Sequence, residues 1–479
     1  MTTHRRYVGI DRRELLRRAA FLAAAAGGGT MFGACATGGG PDTTGPTKKP
    51  GGKVDANNPL GVDPKAPLDV VIFKGGFSDE YAKYHEAMYK KRYPESEVKH
   101  LGTQDITPQL QPRFVNGNPP DVFDNSGAQD LDTTTLVNQG QLLDITPLLD
   151  APSFDIPGKK VRDTLIDGAL DPLLFEDKPY GIPYALNING LWHDGKLFED
   201  NGWETPETWD DLMALGEKTK AEGVPLWTYQ GQYPGYMVSV FNPMIQKHGG
   251  NEVMKNIDNL EDGAWGQDAV VNVAEAFFEL KSKGYIMPGT AGLSHIQSQA
   301  AWAQHKAAII PCGSWLKSEL GSQLPGDFEM TIAPTPSLDP GDKLPFAAVP
   351  YSPGESFLVP SKAKNTAGGL EFLRIMLSKE GAQKFAELTF TLTIVDGAHD
   401  EQDLDSTLES SLELVTAAQE VERIDSPKYG TWYRPLQEEI EAAMGVLLTG
   451  KLDARGFLER VQKKADAVKK DPKIKKFTR

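Results

Sequence analysis

Cysteine is nearly missing from this sequence: 479 residues hold two, Cys35 and Cys312. With Cys35 assigned below to another task, no intrachain disulfide is left to form. A chain this long buries enough core without one, so the small disulfide-stapled folds are excluded. Cys312 ends the apolar run Ala307-Ala308-Ile309-Ile310-Pro311-Cys312 and is expected to be a buried small hydrophobe. Membrane-spanning apolar length is missing too. The uncharged stretch 19–34 has sixteen residues, short of the roughly 20 that cross a bilayer. Positive charge is in deficit, with 50 Lys and Arg against 66 Asp and Glu. That balance argues against nucleic acid and against an anionic membrane surface as partners. The eight His are scattered, with no His/Cys/Asp grouping at ligand spacing, so neither a metal nor a cofactor is expected. Gly-x-Ser-x-Gly, His-Glu-x-x-His and a phosphate-binding glycine loop are absent. The acidic stretch 396–413 lacks a calcium-loop pattern.

What is present begins at the N-terminus. Asp11-Arg12-Arg13-Glu14-Leu15-Leu16-Arg17 places paired arginines ahead of the Ala- and Gly-rich stretch 19–34. This is the pattern of a twin-arginine export signal, residues 1–34. It ends at Phe32-Gly33-Ala34-Cys35, which resembles a lipobox with Phe in place of the usual Leu. Cys35 would become the first mature residue and carry several acyl chains, which stable anchoring requires. The expected location is therefore outside the cytoplasm, lipid-anchored to the outer face of the cell membrane. Without the six basic and two acidic residues of 1–34, the mature chain carries 44 Lys and Arg against 64 Asp and Glu, a net charge of −20. Residues 35–67 are rich in Gly, Pro, Thr and Lys and read as a flexible tether.

Order is expected from Leu68-Asp69-Val70-Val71-Ile72-Phe73, a β-rich run. Gly75-Gly76-Phe77 makes a turn, Ser78 is placed as a helix N-cap, and a helical pattern over 81–92 stops before Pro94. A strand over 98–101, a helix over 109–115 and a strand over 121–124 follow. This alternation predicts an α/β lobe with a mostly parallel sheet. Ligands of such sheets bind beyond the carboxyl ends of strands, so the turns after Phe73 and Phe123 are candidate ligand loops. The middle is helix-rich, with Thr208 capping a helix over 209–223 and apolar spacing over 269–284. A helix pair is expected in 361–387 and an amphipathic helix over 456–470.

Five segments taken in order carry a resemblance. They are Asn118-Pro119-Pro120-Asp121-Val122-Phe123; Lys178-Pro179-Tyr180-Gly181-Ile182-Pro183-Tyr184 leading into Asn189-Gly190-Leu191-Trp192; Thr205-Pro206-Glu207-Thr208-Trp209-Asp210-Asp211-Leu212; Lys306-Ala307-Ala308-Ile309-Ile310-Pro311-Cys312-Gly313-Ser314-Trp315; and Val359-Pro360-Ser361-Lys362-Ala363-Lys364-Asn365. Together they resemble the family 1 extracellular solute-binding proteins of carbohydrate ABC transporters. The stretch 69–77 and the twin-arginine lipoprotein start look like the N-acetylglucosamine/diacetylchitobiose-binding subgroup. The resemblance implies a type II periplasmic-binding-protein-like α/β fold: two lobes joined by a multi-segment hinge, with the ligand cleft between them. The first lobe would comprise 68–184 and 345–395, the second 185–344 and 396–479. It implies a monosaccharide or oligosaccharide ligand, ABC permease subunits as partners, a monomer and no catalysis.

A sugar offers hydroxyls at its rim and C–H groups on its face, so its site wants planar polar groups and an aromatic platform. Asp124 and Asn125 end the third strand and can accept sugar hydroxyls. Gly76 and Phe77 end the first, where glycine lets a ligand approach the backbone. Asn187 and Asn189 lie at the first crossing, and Glu355 just beyond the second. By the resemblance, Trp315 would be the stacking aromatic, and Gln232, Tyr233 and Tyr236 would belong to a cleft loop. Trp209 and Trp192 are read as core. An exported glycoside hydrolase or lyase is the rival class, and it needs a carboxylate pair roughly 5–10 Å apart.

Overall fold

The computed structural model describes residues 51–479, apart from Ala128, Glu401 and the side chain of Ser322. The export signal, Cys35 and the tether up to Pro50 lie outside the described residues.

The first sheet starts with β1 (Leu68–Phe73), α1 (Glu80–Arg92), β2 (Val98–Thr103), α2 (Ile106–Val115) and β3 (Val122–Asp124). β1 pairs in parallel with β2 and β3. β1 reads Leu-Asp-Val-Val-Ile-Phe with both faces covered. Val70 and Ile72 enter the core beneath α1, while Val71 packs with Ile106, Leu110 and Phe123 on the other face. That two-sided burial is why the strand is a nearly unbroken apolar run.

A two-stranded hairpin, β4 (Leu174–Phe175) and β5 (Lys178–Pro179), precedes the long β6 (Gly181–Asp194). The second half then builds α3 (Trp209–Ala221), α4 (Gly235–Gly249), α5 (Asp268–Ser282), β7 (Ile310–Gly313), the short α6 (Leu316–Leu320) and β8 (Met330–Ala333). β9 (Tyr351–Leu358) returns to the first sheet, followed by α7 (Thr366–Met376), α8 (Lys379–Thr389), α9 (Ser406–Gln419), α10 (Arg434–Leu448) and α11 (Ala454–Lys470). Strand order is β2-β1-β3-β9-β6-β7, with β8 also on β6.

β6 joins the halves. Its first part, through Ile188, pairs antiparallel with β9. From Asn189 it pairs with β7, and from Leu191 with β8. The change of partner falls at Ile188–Asn189 inside an unbroken strand, past the crossing expected near Tyr184. The sheet is parallel only at β2-β1-β3, because the strands that cross between lobes run back against it.

Each half has its own core. Val70, Ile72, Tyr81, Tyr184, Phe357, Phe372 and Phe385 fill the first. Trp227, Met237, Phe241, Phe277, Tyr433, Ile440 and Phe457 fill the second. A third cluster under the crossing contains Trp192, Cys312, Ile332 and Leu392. Burying one such side chain contributes about 1.5–3 kcal/mol. Trp209 is core as expected, stacked on Phe277 at 6.0 Å with its indole N–H donating to Glu279. Trp192 donates to the Cys312 carbonyl at 3.1 Å, and Cys312 is a buried free thiol.

The recognised segments have local reasons. Asp121 accepts the backbone N–H groups of Asp69 and Asn365 at 2.9 and 2.7 Å, pinning the entry to β3. Thr208 and Asp211 form a capping box on α3, and Asn365 caps α7. Two expectations are corrected. Ser78 is not the cap of α1; it adopts a left-handed φ of 62°, and Asp79 precedes the helix without a side-chain cap bond. Residues 51–67, read as the far end of the tether, fold onto the first lobe. Leu60 and Val62 enter its core, and Asn58 holds the Val62 backbone in both directions. Two apolar residues, two and four positions after an Asn brace, suffice to dock a segment whose composition reads as coil. Among the described residues no helix is long and apolar enough to cross a membrane.

Candidate functional site

The end of β3 delivers Asp124 into a fully buried position. Its carboxylate accepts from the Ser126 hydroxyl at 2.5 Å and from the Tyr81 hydroxyl of α1 at 3.2 Å. The Ser126 hydroxyl oxygen also accepts from the backbone N–H of Ser356 in β9 at 3.1 Å, and Glu355 is the preceding residue of that strand. Glu355 has a left-handed φ of 53°, a region non-glycine residues seldom enter. It falls at the one gap in the β6–β9 register, between Ser356 and Gly354. The backbone turn carries the side chain toward β3. Burial, and then the charge of Glu355, pushes the Asp124 carboxyl well above its usual range. Burial raises Glu355 too. Burial and then the Asp124 charge raise the Tyr81 phenol.

The second lobe meets this region through Trp315. Its indole folds back over Gly313, where a Cβ would lie 2.1 Å from the ring. Trp315 is partly buried and packs against both the first-lobe core and the cluster under the crossing. Tyr236 packs on the same cluster under the crossing as Trp315, and burial pushes its phenol well above the usual range. On the first lobe, Gly76 lies opposite: its carbonyl accepts from the Ser318 hydroxyl at 2.6 Å, and Glu319 and Trp315 lie 3.5 and 3.7 Å from where its Cβ would be. Glu319 is held by the Gln299 amide at 2.6 Å.

Between the crossing strands and α4 lies a cavity of about 450 Å³. Asn189, Ser239, Asn242, Tyr351, Ser352 and Thr431 are among its lining residues. Its lining carries amides, hydroxyls and aromatic or apolar surface and no charged side chain. Gln246 also lines it, and its buried amide oxygen has no hydrogen-bond partner.

Of the residues singled out in the sequence, Gly76 and Trp315 meet where the lobes touch, Asn189 lines the cavity, Tyr236 packs on the cluster under the crossing, and Asp124 and Glu355 lie on the neighbouring strands β3 and β9. Asn187 lies on β6 against Gly354, its buried Oδ1 without a partner. The others are occupied elsewhere. Asn125 spends its amide on Leu131 and Thr133, bracing its own loop. Phe77 is 7% exposed and packs edge-on to Phe385. Gln232 donates to the Gly292 carbonyl. Tyr233, half exposed, meets His295 at 5.5 Å. Ser239, Asn242, Tyr351 and the turn 426–431 were missed. Only Ser426-Pro427-Lys428-Tyr429-Gly430-Thr431, a turn-forming string with an aromatic, carried a signal.

One His/Asp group occurs among the described residues: His248, Asp339 and Asp342. Asp342 accepts from His248 at 2.7 Å and from the backbone N–H groups of Leu338 and Asp339. This braces the segment joining β8 to β9. Lys247 beside it is fully buried and donates to the carbonyls of Thr335 and Phe346 on the same segment.

Comparison with known proteins agrees with this architecture. The family model described as bacterial extracellular solute-binding protein matches residues 71–383. The diacetylchitobiose binding protein NgcE of Streptomyces coelicolor is 33% identical over 429 residues, 89% of this chain and 90% of that one. The multiple sugar-binding protein of Streptococcus mutans is 23% identical over 66% of this chain and 72% of its own. A solved chitin oligosaccharide binding protein superposes with a TM-score of 0.60 at 22% identity, covering 81% of this chain and 93% of that one. RafE of Streptococcus pneumoniae, solved without ligand, gives 0.67 at 16%, covering 84% and 98%. The two-lobed α/β fold and the breadth of the sequence match place this chain in the bacterial extracellular solute-binding protein family.

Proposed function

We propose that this protein captures a sugar outside the cytoplasm, N-acetylglucosamine or a short chitin oligosaccharide such as diacetylchitobiose, and passes it to the permease subunits of an ABC importer. The observation that carries this reading is the meeting of Gly76 of the first lobe with Trp315, Ser318 and Glu319 of the second, with an uncharged cavity at the crossing strands. Asp124 and Glu355 supply hydrogen bonds to ring hydroxyls, and Trp315 and Tyr236 supply a face for C–H groups. Asn189 and its hydroxyl-bearing neighbours suit a ligand without charge. The diacetylchitobiose-binding relative, similar along nine-tenths of both chains, supports the choice of sugar. The lobes 68–184 with 345–395 and 185–344 with 396–479 would close on the ligand by a hinge motion, the closed form being the one presented to the importer. The twin-arginine start and Cys35 support export of the protein and its anchoring by lipid to the outer face of the cell membrane.

Calorimetric titration with N-acetylglucosamine, diacetylchitobiose, raffinose and maltose tests the ligand. Saturable heat is expected for the first two, and heat from the last two alone would refute the reading. The sugar should emerge unchanged from long incubation; chromatographic appearance of shortened products would favour a hydrolase. Cys35→Ser is expected to free the protein from membranes. Retention of that variant after a high-salt wash would rule out the lipid anchor.

A further inference from the structure

The cavity beside the crossing strands is bordered along one face of α4. Gly235, Ser239, Asn242 and Gln246 recur at helical spacing and all line it. Gln246 is fully buried, and its amide has only one workable orientation. Asn251, just past the end of α4, donates its Nδ2 to the Arg423 carbonyl at 2.9 Å and accepts the Asp425 backbone N–H on its Oδ1 at 3.1 Å. The Gln246 group that meets this Oδ1 at 2.9 Å and the Asp425 carbonyl at 2.8 Å must therefore be the NH2. Both of its protons are engaged there. Oε1 is left buried without a donor, and a carbonyl oxygen in that condition is costly until a donor reaches it. Two other lining residues are turned the same way. Ser239 donates to the Tyr236 carbonyl at 2.7 Å. Gln437 turns its NH2 to Glu441 at 2.5 Å, and its Oε1 lies 3.2 Å from where a Cβ on Gly430, another wall residue, would be. Asn242 and Tyr429 hold each other through both polar groups. Asn189, Ser352 and Thr431 can donate or accept. The lining groups with a set direction thus all present acceptors. The guanidinium of Arg423 stacks over Tyr351, a wall residue, 5.4 Å from the ring centre. A positive charge so placed disfavours a cationic occupant.

We propose that this cavity is a subsite that reads hydrogen-bond donors on a neutral ligand, and that Gln246 sets its specificity. Oε1 of Gln246 accepts from one hydroxyl or amide N–H of the bound sugar, and Ser239 and Gln437 accept from groups beside it. A group that can only accept, such as a fluorine or an ether oxygen, is rejected at this place, because it leaves Oε1 buried and unpaired. An ammonium group is rejected by the charge of Arg423. This rests on the sugar-binding reading above, and the test separates the two.

Affinities are measured calorimetrically for diacetylchitobiose and for a panel of its analogues, each with one hydroxyl replaced by fluorine or one acetamide N–H replaced by N-methyl. The proteins are the wild type, Gln246→Met and Gln437→Met. In the wild type one analogue is expected to bind about tenfold or more weakly than diacetylchitobiose. In Gln246→Met the same analogue and the parent sugar are expected to bind within about twofold of each other, while the other analogues keep their wild-type ratios. Which analogue it is tells whether the donor is a hydroxyl or the amide N–H. Gln246→Met also loses the bonds to Asn251 and Asp425, but the ratio of two affinities on one preparation does not depend on how much of it is folded. Gln437→Met, at a half-buried position, makes the same comparison for a second analogue without touching those bonds. Ratios that are the same in the wild type and in both variants would overturn the proposal and leave sugar capture standing. Binding of the deacetylated disaccharide in its ammonium form as tightly as diacetylchitobiose would overturn it too. No heat from any of these sugars would refute both readings together.

Discussion

The two sides of the cleft solve opposite problems. The first lobe buries Asp124 with the Ser126 and Tyr81 hydroxyls as its partners, and neither it nor Glu355 on the neighbouring strand forms an ion pair among the described residues. The crossing and the second lobe line their cavity with Asn189, Asn242, Ser239 and Thr431 and no charged side chain. The charged side therefore responds to pH and to the charge of the ligand, and the neutral side responds to shape and to hydrogen-bond count. Trp315 belongs to neither side alone, because it packs on both cores.

The largest break in that comparison comes from Trp315→Ala. Removing it is expected to weaken sugar binding by about 2 kcal/mol or more. A platform standing free in an open cleft could be truncated with little effect on folding. Packed on two cores, Trp315 should instead cost about 2–3 kcal/mol of stability as well. Melting and titration of one preparation check both, and an unchanged melting temperature would show that the contact with the first lobe is not kept in solution.

Asp124→Ala comes next, with an expected loss of roughly 2 kcal/mol in affinity as the Ser126 and Tyr81 hydroxyls lose their partner. The two carboxyls also predict a pH effect on the empty protein. They titrate higher folded than unfolded, so their stabilisation is complete below pH about 4 and is lost as pH rises through the folded value. Lys247 acts with the opposite sign. Burial lowers it to about 7 from an ordinary value near 10.4, so stability should rise as pH climbs from about 7 to 10. Urea unfolding of Lys247→Met over that window should show the rise abolished; a slope equal to the wild type would assign it to another group.

On the neutral side, Asn189→Ala is expected to cost about 1 kcal/mol in sugar affinity, with the pH profile of binding unchanged. A changed profile would mean that the two sides are not separate. Tyr233→Ala should be the smallest effect, within about 0.5 kcal/mol in stability and without effect on affinity. A clear loss of affinity would return Tyr233 to the cleft beside Tyr236.

The sequence made legible what repeats locally. The run Leu68 to Phe73, the cap at Thr208 and the helical spacing around Val270 and Phe277 each name their element, and the structure has them there. The two carboxyls were legible only one at a time. Asp124 follows from the strand-end rule, and Glu355 follows from its place after a crossing. That they lie on neighbouring strands depends on the pairing of segments more than two hundred positions apart. Asn125 and Phe77 carried the right chemistry next to the right strand ends, but neighbouring backbone and aromatic partners took them first. Tyr351 and Asn242 were invisible, since a cavity wall drawn from four distant segments leaves no spacing to read. The docking of 51–67 was hidden by composition: Leu60 and Val62 are too few to outweigh Gly, Pro and Asp around them in a sequence window.

β6 is a shaft rather than a joint. A loop connecting two bodies lets them swing in any direction, whereas an unbroken strand held by β9 at one end and by β7 and β8 at the other resists bending. Such a member yields most easily by rotation about its own length, because twist is the soft deformation of a β-strand. Relative movement of the two halves is then steered toward torsion, distributed over the peptides around Ile188 and Asn189. Torque applied at one rim, through Trp315 or Gly76, would be carried along the same axis to the opposite rim instead of dissipating in a floppy linker.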